Sequence, residues 1–264
     1  FQKANYIPNN ATLIVVGDVD SKSMLPKLES VFADWKAGAP APVPSTAQSM
    51  KGKPGIYIVD KPGAVQSTIA VGVVGLDRSN PDYYAVQVMN HILGGGSLSR
   101  LNRVLREEKA YTYGAYSVFL FRKGPGTFRA SGDFETGATK ESVIELMKQI
   151  EGIGGSIPVT KEELETSKAN LISRYPQDFE TVEQIARHLS DMALFGLPET
   201  YFDNYIPRIN AVTLADVNRV ANKYVNPTKM AIVIVGDRKA IESKLRDLGH
   251  PISILDTEGN PIGR

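Results

Sequence analysis

The sequence predicts an α+β fold, an antiparallel β-sheet with helices packed on it. Three observations carry that expectation. Two alternating segments, 112–121 and 127–134, flank the turn Lys123-Gly124-Pro125-Gly126 and read as a hairpin. Helical periodicity then dominates from Thr139 to Tyr224. A strand-then-helix unit also occurs twice, once near each end of the chain.

The first copy of that unit, Tyr6 to Asp18, reads YIPNNATLIVVGD, an Asn/Pro turn leading into an apolar strand that ends at Gly17-Asp18. The second, Tyr224 to Asp237, reads YVNPTKMAIVIVGD. Each precedes a helix with spaced apolar positions: Leu25, Leu28 and Phe32 in one, Ile241, Leu245 and Leu248 in the other. The match suggests a duplicated domain, although two similar βα units inside one fold would also give it. Under duplication, residues 1–36 are expected to be the C-terminal remnant of a preceding homologous domain. Residues 37–54, with Pro40, Pro42 and Pro44 among small residues, then form a stiff linker, and 55–264 form the second domain.

Within that second domain, Gly55 to Asp60 and Gln66 to Leu76 read as strands, the latter with Ile69, Val71 and Val73 on one face. Asn80-Pro81 opens a helix through Ala85, Val88, Met89 and Ile92, because proline at the first helical position loses no hydrogen bond. The helix runs into Gly94-Gly95-Gly96. Ser97 is then expected to cap a second helix with Leu98, Leu101 and Leu105 on its apolar face and Arg100, Arg103 and Arg106 on a polar, available one. After Lys109 the period switches to alternation, placing Tyr113 on the same side as Ala115, Ser117 and Phe119. Further helices are expected over 139–150, 160–174, 181–195, 200–209 and 214–224, with capping boxes at Thr160/Glu163 and Thr213/Asp216. Ile252 to Ile262 reads as a small terminal hairpin.

Composition excludes several function classes. The chain has 264 residues, 42% hydrophobic and 22% charged, enough apolar material for one large or two small globular domains. A net charge of +1 supplies no basic field for nucleic acid, and no apolar run reaches the roughly 20 residues of a membrane span. The absence of cysteine removes disulfides and thiolate sites but fits cytoplasm and periplasm equally. His91, His188 and His250 are scattered, with no two within one helical turn, so no zinc helix is expected and no metal ligands are assigned to this chain. Gly94 to Gly96 follow a helix and lack the Lys-Ser/Thr of a phosphate loop, and there is no Gly-x-Ser-x-Gly elbow.

What remains is Arg106 and Tyr113, seven residues apart across a helix-to-strand turn. A guanidinium can grip a peptide carbonyl, and a phenol can donate to an oxyanion developing on a scissile carbonyl. On residues alone the alternative stays open: Arg106 pairs with Glu107, Glu108 or solvent, and Tyr113 is an ordinary strand residue.

The run Asn90 to Tyr116, NHILGGGSLSRLNRVLREEKAYTYGAY, resembles the second-domain motif of the insulinase/pitrilysin family of zinc metallopeptidases, which includes processing peptidases. Asp60-Lys61-Pro62-Gly63 followed by Gln66-Ser67, Arg78 with Asn80-Pro81-Asp82, and both Tyr…Gly-Asp units are similar to that family too. The resemblance implies a processing-peptidase-like duplicated domain that supplies Arg106 and Tyr113 as catalytic residues. It implies Gly94, Gly95 and Gly96, with Ser97 and Arg103 beside them, as substrate contacts. The family's His-x-x-Glu-His is absent, so zinc is expected in a preceding domain or partner subunit, and this chain alone is expected to be inactive. Peptide is the implied substrate, a homo- or heterodimer the implied assembly, and a bacterial periplasm the implied compartment. A non-catalytic scaffold of the same fold is the alternative.

Overall fold

The second Tyr…Gly-Asp unit supplies the strand that holds the sheet together. In the computed structural model, which describes residues 1–40 and 53–262, six strands lie in the order β3-β4-β2-β5-β1-β6. They are β1 (Gly55–Asp60), β2 (Gln66–Val74), β3 (Thr112–Leu120), β4 (Thr127–Glu135), β5 (Ala231–Gly236) and β6 (Ile252–Leu255). β3, β4, β2 and β5 pair antiparallel, including the expected hairpin, whereas β5-β1 and β1-β6 pair parallel. β5 therefore fills the slot between β1 and β2, and the connection between those two strands spans it. Lys61 N donates to Gly236 O at 2.8 Å, and Gly63, with φ of +74°, donates to Asp237 Oδ2 at 3.1 Å. The terminal hairpin reduces to one bridge, Leu255 to Pro261, because β6 spends its ladder on β1.

Alternation sends one face of every strand into the core. Ile56 and Ile58, Ile69 and Val71, Ile232 and Ile234, Phe128, Ala130 and Phe134, and Ala115 and Phe119 are all buried. Each buried Ile, Val or Phe side chain removed from water contributes about 1.5–3 kcal/mol, and the alanines less. On the opposite face Tyr116, Leu120 and Val74 remain exposed. Helices α3 (Tyr83–Asn90), α4 (Thr139–Gly152), α5 (Lys161–Arg174), α7 (Tyr201–Ala211), α8 (Leu214–Tyr224) and α9 (Arg238–Arg246) bury residues in the core, whereas α6 (Val182–Phe195) buries none. Capping boxes start α5 and α8 as expected, and a third, Thr181 with Gln184, starts α6. Among the described residues no helix is long and apolar enough to cross a membrane.

The N-terminal unit behaves differently from its counterpart. Helices α1 (Gln2–Asn5) and α2 (Ser21–Phe32) form, α2 with Asp20 as its N-cap, but the strand expected before Gly17 does not. A strand needs a neighbour to take its backbone hydrogen bonds, and segment 11–16 has none among the described residues. Its Leu13 and Val15, and Leu25, Val31 and Phe32 of α2, are exposed, whereas β5 has partners on both sides. The linker expected over 37–54 lies mostly outside the described residues.

Two joints position the segment between α3 and β3. α3 continues as a π-helical turn, His91–Gly95, whose Gly94 is pressed on β3: a Cβ there would sit 2.4 Å from Ser117 N and 2.8 Å from Leu101 Cδ1. Asn90 Nδ2 donates to Ser117 O at 3.1 Å, and Ser117 Oγ donates back to Asn90 Oδ1 at 2.8 Å. At the other end of α3, buried Asp82 accepts from Arg219 (2.7 Å), Lys223 (2.9 Å) and Tyr224 (2.7 Å), tying α3 to α8. Burial pushes the Asp82 carboxyl up, but hydrogen bonds from Tyr224, Lys223 and Arg219 outweigh it and hold its pKa at about 2.

Gly94→Ala should therefore cost about 1–3 kcal/mol in urea unfolding, because backbone must move to admit the methyl. Gly155→Ala, where a Cβ meets nothing within 4 Å, serves as control and should stay within about 0.5 kcal/mol of wild type. For Asp82 the folded pKa lies below the ordinary carboxylate value near 4. Its contribution is complete above about pH 4 and is lost as pH falls through about 2. With half-exposed cationic partners this acid limb is worth about 1–2 kcal/mol, and it should vanish in Asp82→Asn when stability is measured across that range.

Candidate functional site

The apolar leucines that anchor the second helix also aim its arginines. That helix begins after Ser99, not after Ser97, and its body, Asn102–Glu108, is π-helical. Ser97 and Leu98 lie in the preceding turn, with Leu98 76% exposed, so only Leu101 and Leu105 of the expected apolar face are buried. The register shifts for the same reason. Arg100 is not on an available face: it is 3% exposed, bonded through Nε and Nη2 to Glu163 at 2.7 Å each and to the carbonyls of Ile157 and Pro158. Glu163 also closes the α5 capping box, so one carboxylate serves two helices. Arg100 and Thr160 hold that carboxyl below its usual range against the opposing pull of burial.

Arg106 faces outward. Glu108 lies 3.7 Å from Arg103, and among the described residues Arg106 has no ion-pair partner. Lys109 N reaches back five residues to Val104 O at 3.0 Å, the wide π turn that often marks functional sites. Ala110 follows with φ of +55°, a left-handed conformation uncommon outside glycine. Tyr111 N then bonds Leu105 O at 2.9 Å, which turns the chain into β3.

A β-bulge opens β3. Thr112 pairs with Phe134 and Ala115 with Gly132, so three steps on β3 oppose two on β4. Thr112 Oγ1 donates to Asp133 O at 2.6 Å and accepts from Gly114 N at 3.1 Å. A Cβ on Gly132 would lie 2.7 Å from Gly114 O, so glycine at 132 lets the bulge close on β4. The extra residue takes Tyr113 off the buried face of Ala115, where simple alternation puts it, and leaves it 90% exposed. Bulges commonly re-aim a side chain beside a site in this way.

Arg106 and Tyr113 line one cavity of about 500 Å³, together with Gln66, Tyr111, Thr112 and Glu135. It offers guanidinium, phenol and amide donors with one carboxylate, a set able to hold a peptide carbonyl. Gly94, Gly95, Gly96, Ser97 and Arg103 do not line it. Gly94 is buried, Gly95 and Ser97 are exposed, Gly96 is half-buried, and Arg103 lines a second cavity of about 410 Å³. Glu135 is absent from the sequence expectation because only the pairing of β4 with the start of β3 brings it near Tyr113, Glu135 N donating to Tyr111 O at 3.0 Å. Gln66 was legible as part of the resemblance but carried no assigned role.

Zinc finds no fit among the described residues. Among the described residues no three His, Cys, Asp or Glu side chains cluster as a metal site. His188 stacks on Phe179 at 4.7 Å between centroids, and His91 lies against Gly96, where a Cβ would be 3.1 Å from its Nε2. Burial, reinforced by Arg174, lowers the His91 pKa.

The chain is 27% identical over 224 residues to the uncharacterized zinc protease YmxG of Bacillus subtilis, covering 83% of this chain and 52% of that protein. It is 25% identical over 154 residues to the non-peptidase homolog YmxG of Helicobacter pylori, covering 58% and 35%. A solved peptidase M16 inactive domain from Pseudomonas fluorescens superposes with a TM-score of 0.74 at 26% identity, over 83% of this chain and 52% of that one. The chain thus spans about half the length of the zinc protease it matches. The model of the peptidase M16 inactive domain matches residues 1–171, well over half of the sequence, and the chain belongs to that family of zinc proteases as an inactive domain.

Proposed function

We propose that this chain is the substrate-binding half of an M16 zinc metallopeptidase, contributing Arg106 and Tyr113 to peptide hydrolysis at a zinc site carried by a preceding domain or a partner subunit. The single observation that supports the reading is the shared cavity, in which Arg106 has no ion partner among the described residues and Tyr113 is lifted into solvent by the bulge. In this role Arg106 holds substrate backbone through its donor fork. The Tyr113 hydroxyl donates to the oxyanion formed on the scissile carbonyl, a contact that strengthens only as charge develops there. Residues 1–36 then belong to the preceding homologous domain. The apolar face that Leu13, Val15 and α2 expose in this chain would be buried there, as the equivalent face of β5 and α9 is buried here. Peptide is the ligand, and the chain alone performs no hydrolysis.

A second reading, a non-catalytic scaffold of the same fold, is favoured by the similarity to the Helicobacter pylori non-peptidase homolog. Kinetics of the complete zinc-bearing protein separate the two. Tyr113→Phe and Arg106→Ala should each lower kcat/KM roughly a hundredfold, about 3 kcal/mol of transition-state stabilisation. Both residues are exposed, so unfolding should be unaltered. Unchanged turnover in both variants would return Arg106 and Tyr113 to the surface and favour the scaffold.

A further inference from the structure

Among the described residues two arginines are buried, and only one of them is paired. Arg100, 3% exposed, gives its donors to Glu163 and to the carbonyls of Ile157 and Pro158. Arg78, 8% exposed, donates no side-chain hydrogen bond and joins no ion pair among the described residues. The carboxylates next to it in sequence are engaged elsewhere. Asp77 Oδ1 accepts from Ser79 N at 2.9 Å and Ser79 Oγ at 2.6 Å, and Asp82 holds its three donors from α8. Residues 41–52 and 263–264, which lie outside the described residues, contain no acidic side chain. A buried charge without a counter-charge is costly, and native proteins pair such groups.

Aromatic contact serves one face of the guanidinium only. Arg78 Cζ lies 3.5 Å from the centroid of the Tyr83 ring and 5.0 Å from that of Tyr201. At the shorter distance the planar group must lie nearly parallel to the ring, because a steep tilt would drive a nitrogen into it. Such stacking attracts the charge but leaves the in-plane N–H donors unused. Those nitrogens are reachable: none of the polar atoms that are both unpartnered and sealed from solvent belongs to Arg78. The same holds for half-buried Tyr84, whose hydroxyl also makes no hydrogen bond. Burial raises the Tyr84 pKa while Arg78 and Arg208 pull it back, which puts both cations close to that phenol. Arg208, on α7, is exposed and has no ion-pair partner among the described residues. α7 starts at Tyr201 without a side-chain cap from Thr200, so its positive end adds to the field. Asp203 in the first turn offsets part of that charge, which suits a single carboxylate better than a phosphate dianion.

We propose that Arg78, Tyr84 and Arg208 form a carboxylate-binding site between the start of α3 and the start of α7. The carboxylate lies edge-on against the Arg78 fork, the one orientation that stacking on Tyr83 leaves free. The Tyr84 hydroxyl donates to it, and Arg208 covers it from the solvent side. Arg78 lies beyond the C-terminal end of β2, its N–H donating to Arg122 O at 2.9 Å, whereas Gln66 and Tyr113 lie at the N-terminal ends of β2 and β3. The site is therefore at the opposite end of the sheet from Arg106 and Tyr113 and rests on none of the function proposed above. A free small carboxylate and an acidic side chain of a docked peptide present the same group to it.

The test is NMR of the protein carrying 15N-labelled arginine, titrated with sodium acetate at constant ionic strength. The Arg78 Nε–H signal, displaced by the Tyr83 ring current, should shift saturably while that of Arg100 stays in place. Acetamide, which has the same shape without the charge, should produce no shift. Arg208→Gln and Tyr84→Phe should each weaken acetate binding several-fold. Tighter binding of N-acetyl-Ala-Glu-Ala-amide than of acetate, by about tenfold, would support the site with an acidic side chain as its ligand. Equal or weaker binding of that peptide would support it with a free carboxylate. Absence of an Arg78 shift with acetate would overturn the proposal and leave the guanidinium to water. An equal shift with acetamide or with chloride alone would overturn it too, as would unaltered acetate affinity in Arg208→Gln.

Discussion

The close contact of Gly94 with Ser117 governs the geometry of both cavities. β3 is the edge of the sheet, and an edge presents unpaired backbone groups that must be covered. Here two buried asparagines and a glycine do the covering. Asn90 bonds Ser117 in both directions, Asn102 Oδ1 accepts from Ala115 N at 3.1 Å, and Asn102 Nδ2 reaches Gly96 O at 3.2 Å. Because a Cβ at Gly94 would meet backbone, the segment can approach β3 this closely only with glycine there. The arginines that follow are thereby held against the strand that carries Tyr113.

Polar joints complete the frame. Glu163 starts α5 and neutralises Arg100 beneath the glycine turn, so the α5 terminus and the glycine segment cannot move independently. A buried ion pair of this kind adds little net stability against an apolar substitute, but losing one partner leaves an isolated buried charge. Its value here is positional. Asp82 performs the same task at the far end of α3, where three donors from α8 converge on one carboxylate. The segment between these joints, α3 and the glycine turn, is thus tied to neighbouring helices at both ends.

Much of this was legible in the residues. Periodicity placed the helices within a residue or two of where they lie, and Thr160/Glu163 and Thr213/Asp216 announced their capping boxes because a cap is a local interaction. The hairpin was equally plain. The strand expected before Gly17 failed because strand formation is not local: identical texture gives β5 where two neighbours wait for it and an exposed extended segment where none does. The parallel pairing of β6 on β1 was invisible for the same reason.

At the site, the sequence by itself singled out the candidate residues, Arg106 and Tyr113, in a motif with the texture of a zinc-peptidase second half. Only the tertiary structure decided where they point. Simple alternation sends Tyr113 to the core face, and the bulge opposite Phe134 and Gly132 reverses it. Simple helical spacing leaves Arg100 free, and the buried pairing with Glu163, 63 positions away in sequence, removes it from the surface. Period and residue type are properties of a segment, whereas bulges, cross-strand register and the burial of a charge are set by what packs against it.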